Sequence, residues 1–139
     1  MINDIISRCQ TLAGGVIIQV QILAPILPEL TQALLLSGVY ITIIDRAPIQ
    51  DRDTLMHAFY QNCEFPGWFG FNWNALFDCL TDFEWAPAKG YVLIYRYPSV
   101  LQGRDPLTWE HLMALLVDVN EQWMGCGIPF KVIIPSVEE

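Results

Sequence analysis

The sequence predicts an α/β fold, in which a mostly parallel sheet of three to four strands is covered by helices. Runs of β-branched residues alternate along the chain with segments of helical periodicity, which is typical of parallel strands joined by helical crossovers. The strand-like runs are rich in Val and Ile and show little polar alternation, as expected of strands that are buried on both faces. At 139 residues, the chain is long enough for a single domain over residues 1–139 with a substantial core.

The first half of the chain is divided into elements by glycine and proline. Gly14 and Gly15 precede a β-branched run that indicates a strand. Pro28 suits the first turn of a helix, and Gly38 suits the position just after one. The predicted elements are a short helix or irregular lead-in over 1–13, a strand over 16–23, a helix over 28–38, a strand over 39–44, and a helix from Asp51 or Asp53 to about Asn62.

The second half follows the same alternation. Asp105 and Pro106 form the pattern of a cap followed by proline at the first helical position, and Gly125 and Gly127 end the long helix that they begin. The predicted elements are a helix from Trp73 to about Asp82, a strand over 91–95, a helix over 107–124, a strand over 130–134, and a free tail over 136–139.

The chain carries a net charge of −8 at pH 7, and this charge restricts its partners. Such a protein repels nucleic acid and anionic membrane surfaces, so we expect neither as a partner. The apolar residues before position 40 are interrupted by Gly, Gln and Pro, and no run reaches the ~20 residues of a membrane span. The N-terminus also matches a signal peptide poorly. A partner that is recruited by charge should be basic.

Sequence patterns of catalysis and of metal or cofactor binding are missing from the chain. No GxGxxG, GxxxxGK[ST] or GxSxG motif follows a strand. The four cysteines include no CxxC pair, so we expect no metal site, no cofactor, and the reduced thiols of a cytoplasmic protein. His57 and His111 lie in helical segments without an evident nucleophile or metal ligand, and Cys79 has core spacing. We therefore predict that the protein is not an enzyme.

The stretch 65–85 combines an aromatic loop with a helix that has a polar side. Trp68, Phe69 and Phe71 stand in a glycine-containing loop, where they cannot all be buried. The helix that follows carries four polar residues at i, i+4, i+7 and i+8, which share one side: Asn74, Asp78, Thr81 and Asp82. No Lys or Arg occurs between positions 52 and 89. The pattern suits either a solvated helix face above packed aromatics, or a surface for a basic, concave partner.

The same stretch is similar to the signature of the barstar family, the small acidic intracellular inhibitors of secreted ribonucleases of the barnase type. The similarity rests on Phe65-Pro-Gly-Trp-Phe-Gly70 followed by Asn72-Trp-Asn-Ala-Leu-Phe-Asp-Cys-Leu-Thr81. It extends more loosely over about 39–135, where the order of predicted elements is that of the family. Residues 1–38 resemble an added strand and helix that would extend the sheet by one strand.

The resemblance implies a barstar-like fold and a site for a protein partner. In the family, the loop and the helix plug the ribonuclease active site, and carboxylates occupy the places of RNA phosphates. Asp78 matches the central acid of the family and is expected to contribute most. The other residues that the resemblance and the polar stripe assign to the partner-binding site are Trp68, Phe69, Gly70, Asn72, Asn74, Thr81, Asp82, Phe83 and, on the last helix, Glu121.

The main departure from the family pattern is Asn74, which stands where the family has a second acid one turn before Asp78. An amide accepts hydrogen bonds from Arg or Lys but brings no charge. Asp82 and Glu84 offset part of this loss at the end of the helix. The resemblance implies an inhibitor or immunity-type protein for a basic ribonuclease or related toxin. The alternative is a barstar-like interaction or assembly module that does not inhibit a nuclease.

Overall fold

The protein is described here by a computed structural model, which covers residues 2–23, 26–44, 49–63, 65–82 and 87–138. These ranges contain an α/β fold with a four-stranded parallel sheet and six helices. The elements, in chain order, are α1 (Ile2–Cys9), β1 (Ile17–Leu23), α2 (Ile26–Leu36), β2 (Val39–Ile44), α3 (Arg52–Asn62), α4 (Trp73–Leu80), β3 (Gly90–Tyr95), α5 (Pro98–Arg104), α6 (Pro106–Gly125) and β4 (Phe130–Glu138).

The strands lie in the order β1-β4-β3-β2, and each neighbouring pair is parallel. The predicted fold class and all four predicted strands are therefore confirmed. β1 pairs with β4 at one edge, so the N-terminal segment adds a strand to the sheet. Parallel neighbours need crossover connections, and the helices between the strands supply them.

In the second half, one sequence prediction was wrong and one element was missed. The tail predicted to be free from residue 136 belongs to β4 as far as Glu138, because β1 provides a partner for it: Gln21 pairs with Ser136 and Leu23 with Glu138. The short helix α5 was not predicted. Its sequence, PSVLQGR, contains Pro98 and Gly103 and places only Leu101 in the core, so it shows no helical periodicity.

Predicted caps mark several helix boundaries, whereas α2 (Ile26–Leu36) begins and ends two residues earlier than the predicted 28–38. Asp51, and not Asp53, caps α3: its side chain accepts a hydrogen bond from the Thr54 N–H at 2.9 Å, and the Thr54 hydroxyl accepts one from the Asp51 N–H at 3.1 Å. Gly38 has a φ of +88° just after α2, in the left-handed conformation that glycine adopts at least cost. α4 ends at Leu80, two residues earlier than predicted.

The sheet separates two hydrophobic clusters. One face packs against α3, α4, α5 and α6, with Leu93 and Val132 among its strand residues. The opposite face packs against α1 and α2, where Ile5, Leu30 and Leu34 cover alternate strand residues such as Ile94. Every residue of β3 is buried because it faces one cluster or the other, which explains its unbroken apolar sequence.

Candidate functional site

The aromatic loop before α4 divides its side chains between the core and the solvent. Phe69 is buried and stacks at 6.0 Å between ring centroids on Tyr60 of α3. Trp68, its neighbour, is 60% exposed, and this is a large exposed area for a tryptophan. The expectation that these aromatics cannot all be buried is confirmed. Phe69 thus anchors the loop in the core, and Trp68 is presented to solvent.

Phe71 is the residue in this loop with an unusual backbone conformation, which no sequence pattern indicated. Its φ is +55°, in the left-handed region that non-glycine residues rarely adopt. Ring contacts hold it there: centroid distances are 4.7 Å to His57, 5.1 Å to Tyr60 and 4.9 Å to Phe69. A conformation of this kind persists only where the surroundings enforce it, and such positions cluster at functional sites.

Asn72 caps α4. Its Oδ1 accepts a hydrogen bond from the Ala75 N–H at 2.8 Å, and its Nδ2 donates to the Gly70 carbonyl at 3.2 Å. A Cβ at position 70 would lie 3.0 Å from that Nδ2. Gly70 is therefore needed for the close approach of Asn72, while the left-handed turn itself falls on Phe71.

Helix α4 buries one side and exposes the other. Leu76, Cys79 and Leu80 are buried, and burial raises the pKa of the Cys79 thiol to about 11, so this cysteine is the core thiol that its spacing predicted. Asn74 and Asp78 are exposed one turn apart. Within the part of the chain that the structure describes, the Asp78 carboxylate has no hydrogen-bond or ion-pair partner. Its negative charge is available to another molecule.

The end of α4 holds the remaining residues of the predicted stripe. Thr81 is half-buried, and its hydroxyl donates to the Phe77 carbonyl at 2.7 Å, so its proton is used within the helix while its oxygen still accepts. Asp82 follows and is also half-buried. Phe83 and Glu84, which the sequence assigned to the site and to its charge, lie outside the described residues.

Between α4 and α6 lies an open groove of about 570 Å³. It brings Asn74 together with Glu121, which is 47 positions away in sequence, and adds Asp118, one turn before Glu121. The half-buried Phe77 forms an apolar part of its lining. Asp118 was missed as a site residue. The signal was its i, i+3 spacing to Glu121, but only the packing of α4 on α6 shows that both acids face Asn74.

A stacked pair of rings forms part of the lining of this groove. Trp73, the first residue of α4, lies nearly parallel to His111 of α6, with 4.0 Å between ring centroids and 15° between planes. Both residues also line a second groove, of about 430 Å³, at the start of α3 and α6.

Neither groove contains a group of three or more His, Cys, Asp or Glu side chains placed to hold a metal, and no such group occurs elsewhere in the described residues. The described helices also include none that is long and apolar enough to cross a membrane.

The parallel sheet with its covering helices, the partly exposed aromatic loop and the exposed acid on α4 are those of an acidic α/β protein. The chain belongs to the barstar family: the family model described as "Barstar (barnase inhibitor)" matches residues 39–135. Members of this family are inhibitors and not enzymes. A search of curated proteins found no match to the chain.

Proposed function

We propose that the protein is a cytoplasmic, immunity-type inhibitor that occludes the active site of a basic ribonuclease through the loop and helix from Trp68 to Asp82, with Phe83 continuing the contact. The observation that carries this proposal is the exposed carboxylate of Asp78 in the middle of α4, which has no hydrogen-bond or ion-pair partner among the described residues. The resemblance matches Asp78 to the family's central acid. A ribonuclease binds phosphates with Arg, Lys and His side chains, and a carboxylate pairs with the same groups.

The loop supplies the apolar part of the contact. Trp68 projects from a segment whose neighbour Phe69 is anchored in the core, so little conformational entropy is lost when Trp68 is buried by a partner. Aromatic anchors beside a central charge are the usual composition of interface hot spots. Gly70 and Asn72 keep the loop tight against the start of α4.

The groove between α4 and α6 offsets the missing acid at position 74. Asp118 and Glu121 face Asn74 across this groove, are exposed, and have no hydrogen-bond or ion-pair partner among the described residues. A cationic side chain of the partner can therefore bind to the two carboxylates on α6. Asn74 can accept a further hydrogen bond from it as a neutral group. The charge that steers a basic partner is distributed over two helices.

The experiment is binding and inhibition measured with a panel of basic ribonucleases, including one of the barnase type. Asp78→Ala should weaken binding to the inhibited ribonuclease by at least ~2 kcal/mol, as expected of a hot spot. Asp4→Ala is the matched control, since Asp4 is exposed on α1, which covers the opposite face of the sheet, and its loss changes the net charge equally. Tight binding that ignores the Asp78 substitution would refute the proposed site.

Salt dependence separates inhibition from the alternative of an interaction module without nuclease inhibition. The association rate with a ribonuclease should fall as ionic strength rises, because screening weakens the attraction between the acidic surface and a basic partner. If no basic ribonuclease in the panel binds, the inhibitor proposal fails, and the barstar-like interaction module becomes the better account.

A further inference from the structure

The two edges of the sheet differ in how they are protected. At one edge, β2 has no exposed residue. Helix α2 packs against both edge strands, whereas α3 packs against β2. At the other edge, β4 is the one strand that pairs with β1 among the described residues, and Gln19 and Gln21 are exposed. This second edge belongs to the segment that the family model does not cover, so the family match says nothing about its role.

The outward-facing backbone groups of β1 can be identified from one hydrogen bond. The Val132 N–H of β4 donates to the Val16 carbonyl at 2.8 Å, which places the peptide groups of Val16 on the β4 side. Peptide directions alternate along a strand, so those of Ile18 and Val20 also point to β4, while those of Gln19 and Gln21 point away. No hydrogen bond from another described segment reaches the N–H or C=O of these two glutamines.

β1 also lacks the features by which sheet edges normally avoid pairing. Its sequence, IIQVQIL, contains no charge and no proline over seven residues. Exposed edge strands are commonly protected by Lys, by proline or by a bulge, and an unprotected edge is a template for another strand. In a chain of net charge −8, it is also a neutral strip along which two copies can approach with little repulsion.

We propose that the edge of β1 is the interface of a symmetric homodimer, in which β1 pairs antiparallel with β1 of a second copy and the two sheets become one of eight strands. A two-fold axis between the Val20 residues of the two copies brings all seven residues of each strand into the pairing. It places Gln19 of each copy opposite Gln21 of the other, and the peptide groups of both residues point away from β4. Such an interface is isologous, as two-fold symmetry requires.

This register also accounts for the glutamines. Residues that exchange both backbone hydrogen bonds across an antiparallel pair also carry their side chains directly opposite one another. Gln19 and Gln21 would form two amide–amide contacts that are related by the axis. Uncharged polar side chains at these positions keep the edge compatible with water in the monomer and with a second copy in the dimer.

The first test is the mass of the full-length chain, measured by sedimentation or by light scattering after gel filtration. We expect twice the mass of one chain, and a monomer at the highest concentration reached would overturn the proposal. The double substitution Gln19→Lys and Gln21→Lys places lysines opposite each other at both pairs, so the measured mass should halve. The control carries Gln10→Lys and Gln102→Lys, two exposed glutamines outside β1, and should remain dimeric.

A charge-swap experiment tests the register. A second variant carries Gln19→Glu and Gln21→Glu and should also be monomeric alone. Mixed with the lysine variant, it should form a heterodimer, because Lys and Glu then stand opposite each other at both pairs. Heterodimer formation also shows that the variants are folded. A dimer that persists in either variant alone, or a mixture of the two that stays monomeric, would overturn the proposed pairing.

Discussion

The indole Nε1 of Trp123 donates a buried hydrogen bond of 2.8 Å to the carbonyl of Leu80, 43 positions earlier in the chain. Leu80 is the last residue of α4, and its carbonyl is one of those that a helix leaves without an intrahelical partner. Trp123 lies near the end of α6 and is buried. A side chain of α6 therefore provides a hydrogen-bond donor for the C-terminal end of α4, the helix that carries Asp78.

Replacing Trp123 with Phe should lower the free energy of unfolding by about 1–3 kcal/mol, since the Leu80 carbonyl would then be buried without its partner. Chemical denaturation monitored by circular dichroism measures the change. If α4 is the partner-binding helix, the substitution should also weaken ribonuclease binding.

The matched control is Trp109→Phe, also on α6. Trp109 is half-buried and packs edge-on against Tyr95 at 5.4 Å, and its indole N–H has no hydrogen bond among the described residues. Both substitutions remove the same ring atoms. Equal destabilisation by the two would show that packing, and not the hydrogen bond to Leu80, is responsible.

Asn72→Ala should destabilise the protein by about 1 kcal/mol, because α4 loses the side-chain cap on the Ala75 N–H. It also loses the bond to the Gly70 carbonyl, so the aromatic loop should become more mobile. Amide hydrogen exchange over residues 66–76 measures this loop directly. Asn72→Asp keeps the acceptor for the cap but not the donor for Gly70. It should retain most of the stability, and stability loss equal to that of alanine would contradict the capping role.

The elements and the fold class could be predicted from the sequence because their signals are local. The β-branched runs, the Asp105–Pro106 start of α6 and Gly38 after α2 each act within a few residues, and each was confirmed. α5 and the full length of β4 could not be predicted in this way. α5 is a short helix without periodicity, and the end of β4 is a strand because β1, more than a hundred positions away, pairs with it.

The same distinction between local and long-range signals applies to the residues of the candidate site. The loop and α4 form one continuous stretch, so the aromatic and acidic residues that it presents were visible in the sequence. The place of Asp118 opposite Asn74, and the left-handed Phe71 held by three rings, depend on how α3 and α6 pack against this stretch. Contacts between distant segments leave no periodic signal in the chain.

Asn74→Asp should strengthen binding to a basic ribonuclease by about 1 kcal/mol or more, because it restores a charged acceptor beside Asp118 and Glu121. Binding kinetics at low and high salt measure the effect, and the gain should be larger at low salt. Asp118→Asn should lower the association rate of the unmodified protein and reduce the gain from Asn74→Asp. If Asn74→Asp leaves the affinity unchanged, the groove between α4 and α6 does not contact the partner.

Lys131 fastens the segment before β1 to the sheet, and its replacement should loosen that segment. It is only 1% exposed, and its Nζ donates to the Ala13 carbonyl at 3.0 Å and to the Gly15 carbonyl at 3.2 Å. Lys131→Met keeps the apolar stem and removes both donors. Hydrogen exchange of residues 10–16 should accelerate by about tenfold or more, which corresponds to ~1.4 kcal/mol of local opening.

In Lys131→Met, the free energy of global unfolding should change less than the free energy of local opening at residues 10–16. The reason is that the variant no longer buries an ammonium group. Burial lowers the pKa of Lys131, which is the sign of this cost. A global loss of stability as large as the local one would contradict a role limited to residues 10–16. Arg8→Met provides the comparison, since it removes an exposed cation from the adjoining helix α1.

The cysteines should respond to alkali and to thiol reagents according to their burial. Cys9, Cys63 and Cys79 are buried and Cys126 is exposed, so a disulfide reagent near pH 8 should label one thiol in the native protein and four after unfolding. Cys126→Ala should remove the native signal.

Burial raises the pKa of Cys9 to about 11, above its value in the unfolded chain, so its contribution to stability is complete below about pH 9 and is lost as pH rises toward 11. Cys9→Ala should flatten the fall of the unfolding free energy in that pH window, and an unchanged slope would show that Cys9 does not contribute to it.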